Sequence, residues 1–183
     1  MEVLTPDDVI GGRRPRGEKV VIFDDDLYYV GGVLAELLVK DGFAVSLVTP
    51  SSQVSSWTEM TLEQHRIQAL LMGLGVEIIT DHTIEGPAPD GLVVRSVYTA
   101  GERIVECASA VLVTSRLPNE SLFLDLVAKK EAWSDVGLQT VGVVGDALSP
   151  GTIASAVWDG RRFAEDLGRS DEEAWFPRDI AVV

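Results

Sequence analysis

Three consecutive carboxylates, Asp24-Asp25-Asp26, precede Leu27-Tyr28-Tyr29-Val30-Gly31-Gly32 and sit between an apolar run and a helical pattern. This is the place of the first strand-to-helix turn in a nucleotide-binding βαβ unit. There, glycines let the backbone approach a pyrophosphate held at the positive end of a helix. The position suits a nucleotide, but the residue types do not. At an effective dielectric of ~20, like charges ~4 Å apart repel by about 4 kcal/mol per pair, so the carboxylates oppose a pyrophosphate. Side chains also stand where G-x-G-x-x-G has none. Consecutive turn residues converge poorly on a metal, and no further carboxylate follows at EF-hand spacing. The plainer role is stabilisation of the following helix N-terminus. Gly31 and Gly32 still permit a close backbone approach, which keeps them as candidate cofactor contacts. The next strand ends in Thr49-Pro50-Ser51-Ser52, with neither the acid that grips ribose hydroxyls nor the arginine of an NADP site.

A second candidate is Gly145-Asp146-Ala147, ahead of a helix that begins near Thr152. A strand ending in Gly-Asp and leading to a helix start puts a carboxylate and free backbone amides at one crevice. A ribose hydroxyl can bond Asp146 while a phosphate meets the helix end at Thr152. Turn chemistry explains the same residues without a ligand. Cys107 is the only cysteine, which excludes an internal disulfide and an all-cysteine cluster in this chain; it reads as a small buried or half-buried strand residue. His65 and His82 lie too far apart for a helical metal pair and read as surface or helix-face residues. No catalytic residue and no metal ligand is assigned.

The elements that position these residues follow from periodicity. Thr5-Pro6-Asp7-Asp8 is a helix start, with a hydroxyl cap and proline at the first helical position; the glycine- and arginine-rich stretch 11–17 follows as a linker, the most basic spot on the chain. Lys19 to Phe23 reads as a buried strand, Gly31 to Lys40 as a helix, and Phe43 to Val48 as a second strand. Together they form a βαβ unit. Thr61 to Leu74 reads as a helix and Val76 to Thr80 as a strand. Segments 91–98, 102–106 and 110–113 read as strands, the first two joined by the turn at Thr99 to Glu102 in an antiparallel hairpin. Ser121 to Lys130 is a short helix, Val141 to Val144 a buried strand, and about Thr152 to Leu167 a long helix. Its packing stripe is Ile153, Val157, Phe163, Ala164 and Leu167. The polar tail carries Trp175-Phe176-Pro177 and ends in apolar Ile180 to Val183, a truncation scar or a docking strand. The expected fold is α/β, a Rossmann-like three-layer dinucleotide-binding fold with an antiparallel hairpin or meander added. The expected division is an N-terminal helix and linker over 1–18, the Rossmann-like domain over 19–118, and a final segment over 119–183.

Composition sets the outer limits. The 183 residues are 46% hydrophobic and 24% charged, as in folded domains. Fifteen basic residues against 29 acidic ones give a charge of -14, which repels nucleic acid and anionic lipid. No apolar run approaches a membrane span and the polar N-terminus lacks a signal peptide, so a cytoplasmic location is expected.

Several stretches resemble the C-terminal region of the trimethylamine, dimethylamine and histamine dehydrogenase family. The most specific are Val21 to Glu36, with Phe23-Asp24-Asp25-Asp26-Leu27-Tyr28-Tyr29-Val30-Gly31-Gly32 at its centre, and Thr58-Glu59-Met60-Thr61-Leu62-Glu63-Gln64-His65-Arg66. Thr5-Pro6-Asp7-Asp8-Val9 and Gly145-Asp146-Ala147-Leu148-Ser149-Pro150 are also similar. The resemblance implies a larger flavoprotein oxidoreductase: a barrel bearing FMN, a 4Fe-4S centre, and two domains like the FAD and NAD(P)H domains of disulfide reductases. On that map about Lys19 to Val113 is the NAD(P)H-type domain, and Asp135 to Leu167 returns to the FAD-type domain, where ADP can sit. FMN and the cluster are then expected in a preceding part of the protein. The implied partner is the remainder of its own polypeptide, and a homodimer is the other association considered. The leading reading is a non-catalytic, ADP-binding fragment of an amine dehydrogenase-like enzyme. The alternatives are a stand-alone NAD(P)-binding reductase domain, and an interaction module without a ligand that docks through Arg13 to Arg16 or Trp175-Phe176.

Overall fold

The computed structural model describes residues 1–168, so the expected Trp175-Phe176 and Ile180 to Val183 features lie outside the described residues. The chain divides into two compact units, the first covering Met1–Ser115 and the second beginning at Arg116. The fold is mixed α/β, with a parallel sheet and a separate antiparallel sheet.

The first unit runs β1 (Glu2–Leu4), α1 (Pro6–Ile10), β2 (Lys19–Asp24), α2 (Val30–Lys40), β3 (Ala44–Val48), α3 (Gln64–Gly73), β4 (Glu77–Ile79), β5 (His82–Ala88), β6 (Gly91–Ser96), β7 (Glu102–Glu106) and β8 (Ser109–Val113). Thr5 caps α1 in a reciprocal box with Asp8, and Pro6 sits in its first turn, as the sequence leads one to expect. The parallel sheet has the order β1-β8-β2-β3-β4. Alternation along β2 divides the core. Val20 and Ile22 face Leu34 and Leu38 of α2, Val9 of α1 and Leu71 of α3. Val21 and Phe23 face Leu92 and Val94 of β6 and Val105 of β7. Helices therefore cover one face of the sheet and the antiparallel sheet β5-β6-β7 covers the other, which is why β2 is apolar on both faces.

Two strands escape the periodicity. β1 is only three residues long and pairs with β8, Val3 opposite Ala110. β5 contains Gly86 and Pro87, poor strand residues, and pairs with β6 through a bulge at Ile84/Gly86. The β6–β7 hairpin forms as expected. Cys107 is buried but lies just beyond β7 rather than within a strand. His65 is exposed on α3, whereas His82 is half-buried on β5, with Nδ1 2.6 Å from the carbonyl of Thr80.

α3 starts at Gln64 rather than Thr61, because Leu62 adopts a left-handed backbone with φ 62° that no helix continues. The second unit holds α4 (Ser121–Ala128) and α5 (Ile153–Asp166). Val141 to Val144 is neither a strand nor buried; among the described residues no strand pairs with it, and an unpaired segment forms no ladder. The expected packing stripe of α5 is likewise largely exposed, with Ile153 86% exposed and no residue of the helix buried, although Phe163 lies against Gly142.

Candidate functional site

Within the first unit the chain leaves β2 toward β3 and β4 on one side, then returns to β8 on the other. The crevice beyond the carboxyl ends of such a switch point is where open α/β sheets usually take ligands. Here the β2–α2 turn and the β3–α3 loop meet in that crevice.

The turn is closed by its own side chains. Asp24, the last residue of β2, is fully buried. Its Oδ1 accepts the Leu27 N–H at 3.1 Å, while Oδ2 is buried without a hydrogen-bond partner. Burial, the dominant cause, and the neighbouring Asp26 and Asp25 push its pKa up to about 6, against the pull of the Leu27 and Asp26 amides. The carboxyl lies directly against the helix: a Cβ on Gly31 would stand 2.4 Å from Asp24 Oδ2. Gly31 is thus required by a side chain of this protein, and the room a close-approaching phosphate needs is filled. Gly32 is also buried; its Cβ would meet Ile67 of α3 at 3.3 Å and Ser55 Oγ at 3.5 Å. Asp25 and Asp26 are exposed, and the Asp25 amide donates to Val113 O at 2.9 Å, which extends the β2–β8 pairing past the switch point.

None of the carboxylates caps α2, contrary to expectation. Its N-cap is Tyr29, with no side-chain cap bond and no acid in the first turn. Asp24 belongs to the strand and turns inward, while Asp25 and Asp26 precede the helix by a turn's length.

The β3–α3 loop then seals the crevice from the side. Trp57 N–H donates to Leu27 O at 3.0 Å, and Tyr29 Oη lies 3.0 Å from Thr61 Oγ1 and bonds Glu63. The Tyr29 hydroxyl holds the Glu63 carboxyl below its ordinary pKa. Among the described residues four non-glycine positions have left-handed backbone, Leu27, Ser55, Leu62 and Asp81. All follow the carboxyl ends of β2, β3 or β4. Sequence reading reached the acidic turn but missed Ser55, Thr61 and Glu63. The Thr61–Glu63 polar pair before a helix was the available signal.

Two open concavities of this unit lie elsewhere. One of about 340 Å³ sits at the amino ends of the strands, among Lys19, Ser46, Glu77, Arg103 and Glu106. There Lys19 pairs with Glu106, and Ser46 donates to Glu77 at 2.6 Å. Another, about 650 Å³, is bordered by Met1, Glu2, Arg13, Arg16 and Cys107. The basic linker is spent there on an acidic neighbour: Arg13 bridges Glu2 at 2.8 Å and Asp8 at 3.3 Å.

The second candidate belongs wholly to the second unit. Gly145 is buried with φ 62°, and its Cβ would stand 3.5 Å from Ala156 of α5, so the turn tucks under the helix. Asp146 is exposed in a 3-10 turn, and its Oδ1 accepts the Gly151 N–H at 3.3 Å. Thr152 is the N-cap of α5 and accepts the Ser155 N–H at 3.2 Å. The amides of Ile153 and Ala154 precede any intrahelical acceptor and remain at the open helix end. The structure therefore brings Gly145, Asp146 and Thr152 into one turn, with Gly145 buried and Asp146 and Thr152 exposed, and Gly31 and Gly32 into one buried turn. Among the described residues no group of His, Cys, Asp and Glu is arranged to hold a metal, and no helix is long and apolar enough to cross a membrane.

Residues 4–113 match the family described as the OYE-like second alpha/beta domain. The chain belongs to this family. It is homologous to enzymes of the trimethylamine dehydrogenase group. Dimethylamine dehydrogenase of Hyphomicrobium sp. (strain x) is 29% identical over 189 residues, covering 93% of this chain and 26% of the relative. Histamine dehydrogenase from Rhizobium sp. 4-9 superposes with a TM-score of 0.89 at 40% identity, over 93% of this chain and 27% of that one. The 6-hydroxypseudooxynicotine amine oxidase from Pseudomonas geniculata N1 gives a TM-score of 0.83 at 35% identity, over 91% and 24%. The chain thus spans about a quarter of the length of these relatives.

Proposed function

We propose that this chain is the nucleotide-fold C-terminal portion of an FMN- and iron–sulfur-containing amine dehydrogenase-like oxidoreductase, without a catalytic residue of its own, and that it binds ADP at the turn before α5. In this reading the first unit is a Rossmann-like domain of the disulfide-reductase NAD(P)H type whose nucleotide crevice has been given over to structure. FMN and the cluster belong to the preceding part of the polypeptide, since one cysteine cannot ligate a cluster. The observation that carries the reading is the burial of Asp24 against Gly31, which leaves no approach for a pyrophosphate at α2 and directs attention to α5.

The residues at α5 suit a nucleoside diphosphate. The Ile153 and Ala154 amides and the positive helix end offer a phosphate site. The exposed Asp146 carboxylate has acceptor capacity beyond its one bond to Gly151 for a ribose hydroxyl. Bound there, ADP supplies no chemistry and anchors the turn. Calorimetric titration tests this. ADP gives measurable heat that is lost in Asp146→Ala. Absence of heat and of a thermal shift at millimolar ADP contradicts the binding assignment.

A further inference from the structure

We propose that the loop following β3 is a docking surface for a protein partner that presents an apolar recess rimmed by lysine and arginine. Trp57, Met60 and Leu62 are 54%, 72% and 93% exposed, within six residues of one another, and the Trp57 N–H reaches Leu27, next to the tilted Tyr28–Tyr29 ring pair. Scattered exposed leucines are ordinary, but a clustered group of Trp, Met and Leu has the composition of an interface centre.

The exposure does not come from a slack loop. The Thr58 hydroxyl is buried beneath it and donates to Ser55 O at 2.7 Å. Gln64 Nε2 donates to Val54 O at 3.0 Å, and Trp57 N–H to Leu27 O at 3.0 Å. Ser55 and Leu62 hold left-handed backbone, with φ of 51° and 62°. That conformation costs a side-chain-bearing residue about 1–2 kcal/mol, and its retention at an almost fully exposed leucine is not offset by burying that leucine. The fold fixes the loop and leaves its apolar side chains in water.

Charge identifies the occupant. Glu59 lies within the group and is exposed, as are Asp25 and Asp26 just ahead of Leu27, whose carbonyl accepts the Trp57 N–H; Arg66 is a cation that acts on Glu63. A second copy of this chain would bring one acidic rim against another, at a net charge of -14 each. Nucleic acid and anionic lipid are repelled by the same rim. A protein surface with basic residues around an apolar recess gains both from steering and from burial.

The test uses the 183-residue chain and two amphipathic helical peptides as probes, one of leucine and lysine and one of leucine and glutamate. The leucine–lysine peptide binds and the leucine–glutamate peptide does not. The pair Trp57→Ser and Leu62→Asn weakens binding roughly tenfold, the loss of a hot-spot contact; asparagine tolerates the left-handed backbone, so this variant keeps the fold, which its circular dichroism verifies. Asp25→Asn with Glu59→Gln weakens binding several-fold and flattens its salt dependence, whereas Asp90→Asn with Glu102→Gln leaves it unchanged. Equal binding to the Trp57/Leu62 variant overturns the proposal. So does a dimer abolished by that variant, or protection of Trp57, Met60 and Leu62 from hydroxyl-radical footprinting within a longer native polypeptide.

Discussion

At the start of α2 the Asp24 carboxyl is wholly buried and pressed against Gly31, whereas at the start of α5 the Asp146 carboxyl is exposed and reaches across to the Gly151 amide. Both turns combine an aspartate, a nearby glycine and a helix N-terminus. In the first, the carboxyl has become a packing element: its pKa stands near 6 and its second oxygen has no partner. In the second, the carboxyl ties the loop and the hydroxyl of Thr152 caps the helix, with two first-turn amides left over. The difference lies in the direction of one side chain, inward from a central strand or outward from an exposed turn. It separates a turn closed by its own carboxyl from one whose helix end stays open, the turn proposed to bind ADP.

Substitutions break this comparison at its sharpest point first. Gly31→Ala places a methyl 2.4 Å from Asp24 Oδ2 and destabilises the first unit by about 3 kcal/mol, the upper part of the overpacking range. Asp24→Ala in the same chain recovers part of that loss, a coupling that urea unfolding of the single and double variants measures.

Asp24→Asn keeps the shape and the Leu27 bond and removes the charge. With the folded pKa raised from 3.8 to about 6, the native state binds the proton more tightly than the unfolded chain. The stability contributed by Asp24 is therefore full below about pH 4 and is lost as pH rises through 6. The asparagine variant gains about 2 kcal/mol over the parent at pH 7, from roughly two pKa units at 1.36 kcal/mol each less the remaining cost of burial, and the parent's fall in stability between pH 4 and 6 disappears. Denaturant midpoints across that pH range check both.

At the other turn the effects are smaller. Thr152→Ala removes the α5 cap and costs about 1 kcal/mol, read as faster amide exchange at Ser155. Gly151→Ala meets only ordinary contacts, Ser155 Cβ at 3.6 Å, and changes stability by less than about 0.5 kcal/mol. If Gly151→Ala proves as costly as Gly31→Ala, the second turn is as closed as the first.

Much of this was legible from residue order. The apolar run at β2, the spacing of Leu34 and Leu38, and the Thr5-Pro6 start each specify one local structure, and each forms. The acidic turn was recognisable as unfit for pyrophosphate, but the inward rotation of Asp24 was not, since charge alone predicts an exposed carboxylate. β1 and β5 escaped because three residues, or a Gly-Pro pair, carry no period; their pairing is decided by β8 and β6. Val141 to Val144 and the α5 stripe misled in the opposite sense. Their patterns are those of core elements, and a pattern specifies a face without supplying what covers it.

The most direct test of the contrast is a nitrogen-15 amide spectrum of the chain titrated in turn with ADP and NADH. ADP is expected to shift the amides of Asp146, Ile153 and Ala154 and to leave Gly31 and Gly32 unmoved, and NADH to leave Gly31 and Gly32 unmoved as well. Saturable shifts of Gly31 and Gly32 with NADH, and none near Asp146 with ADP, would contradict the account.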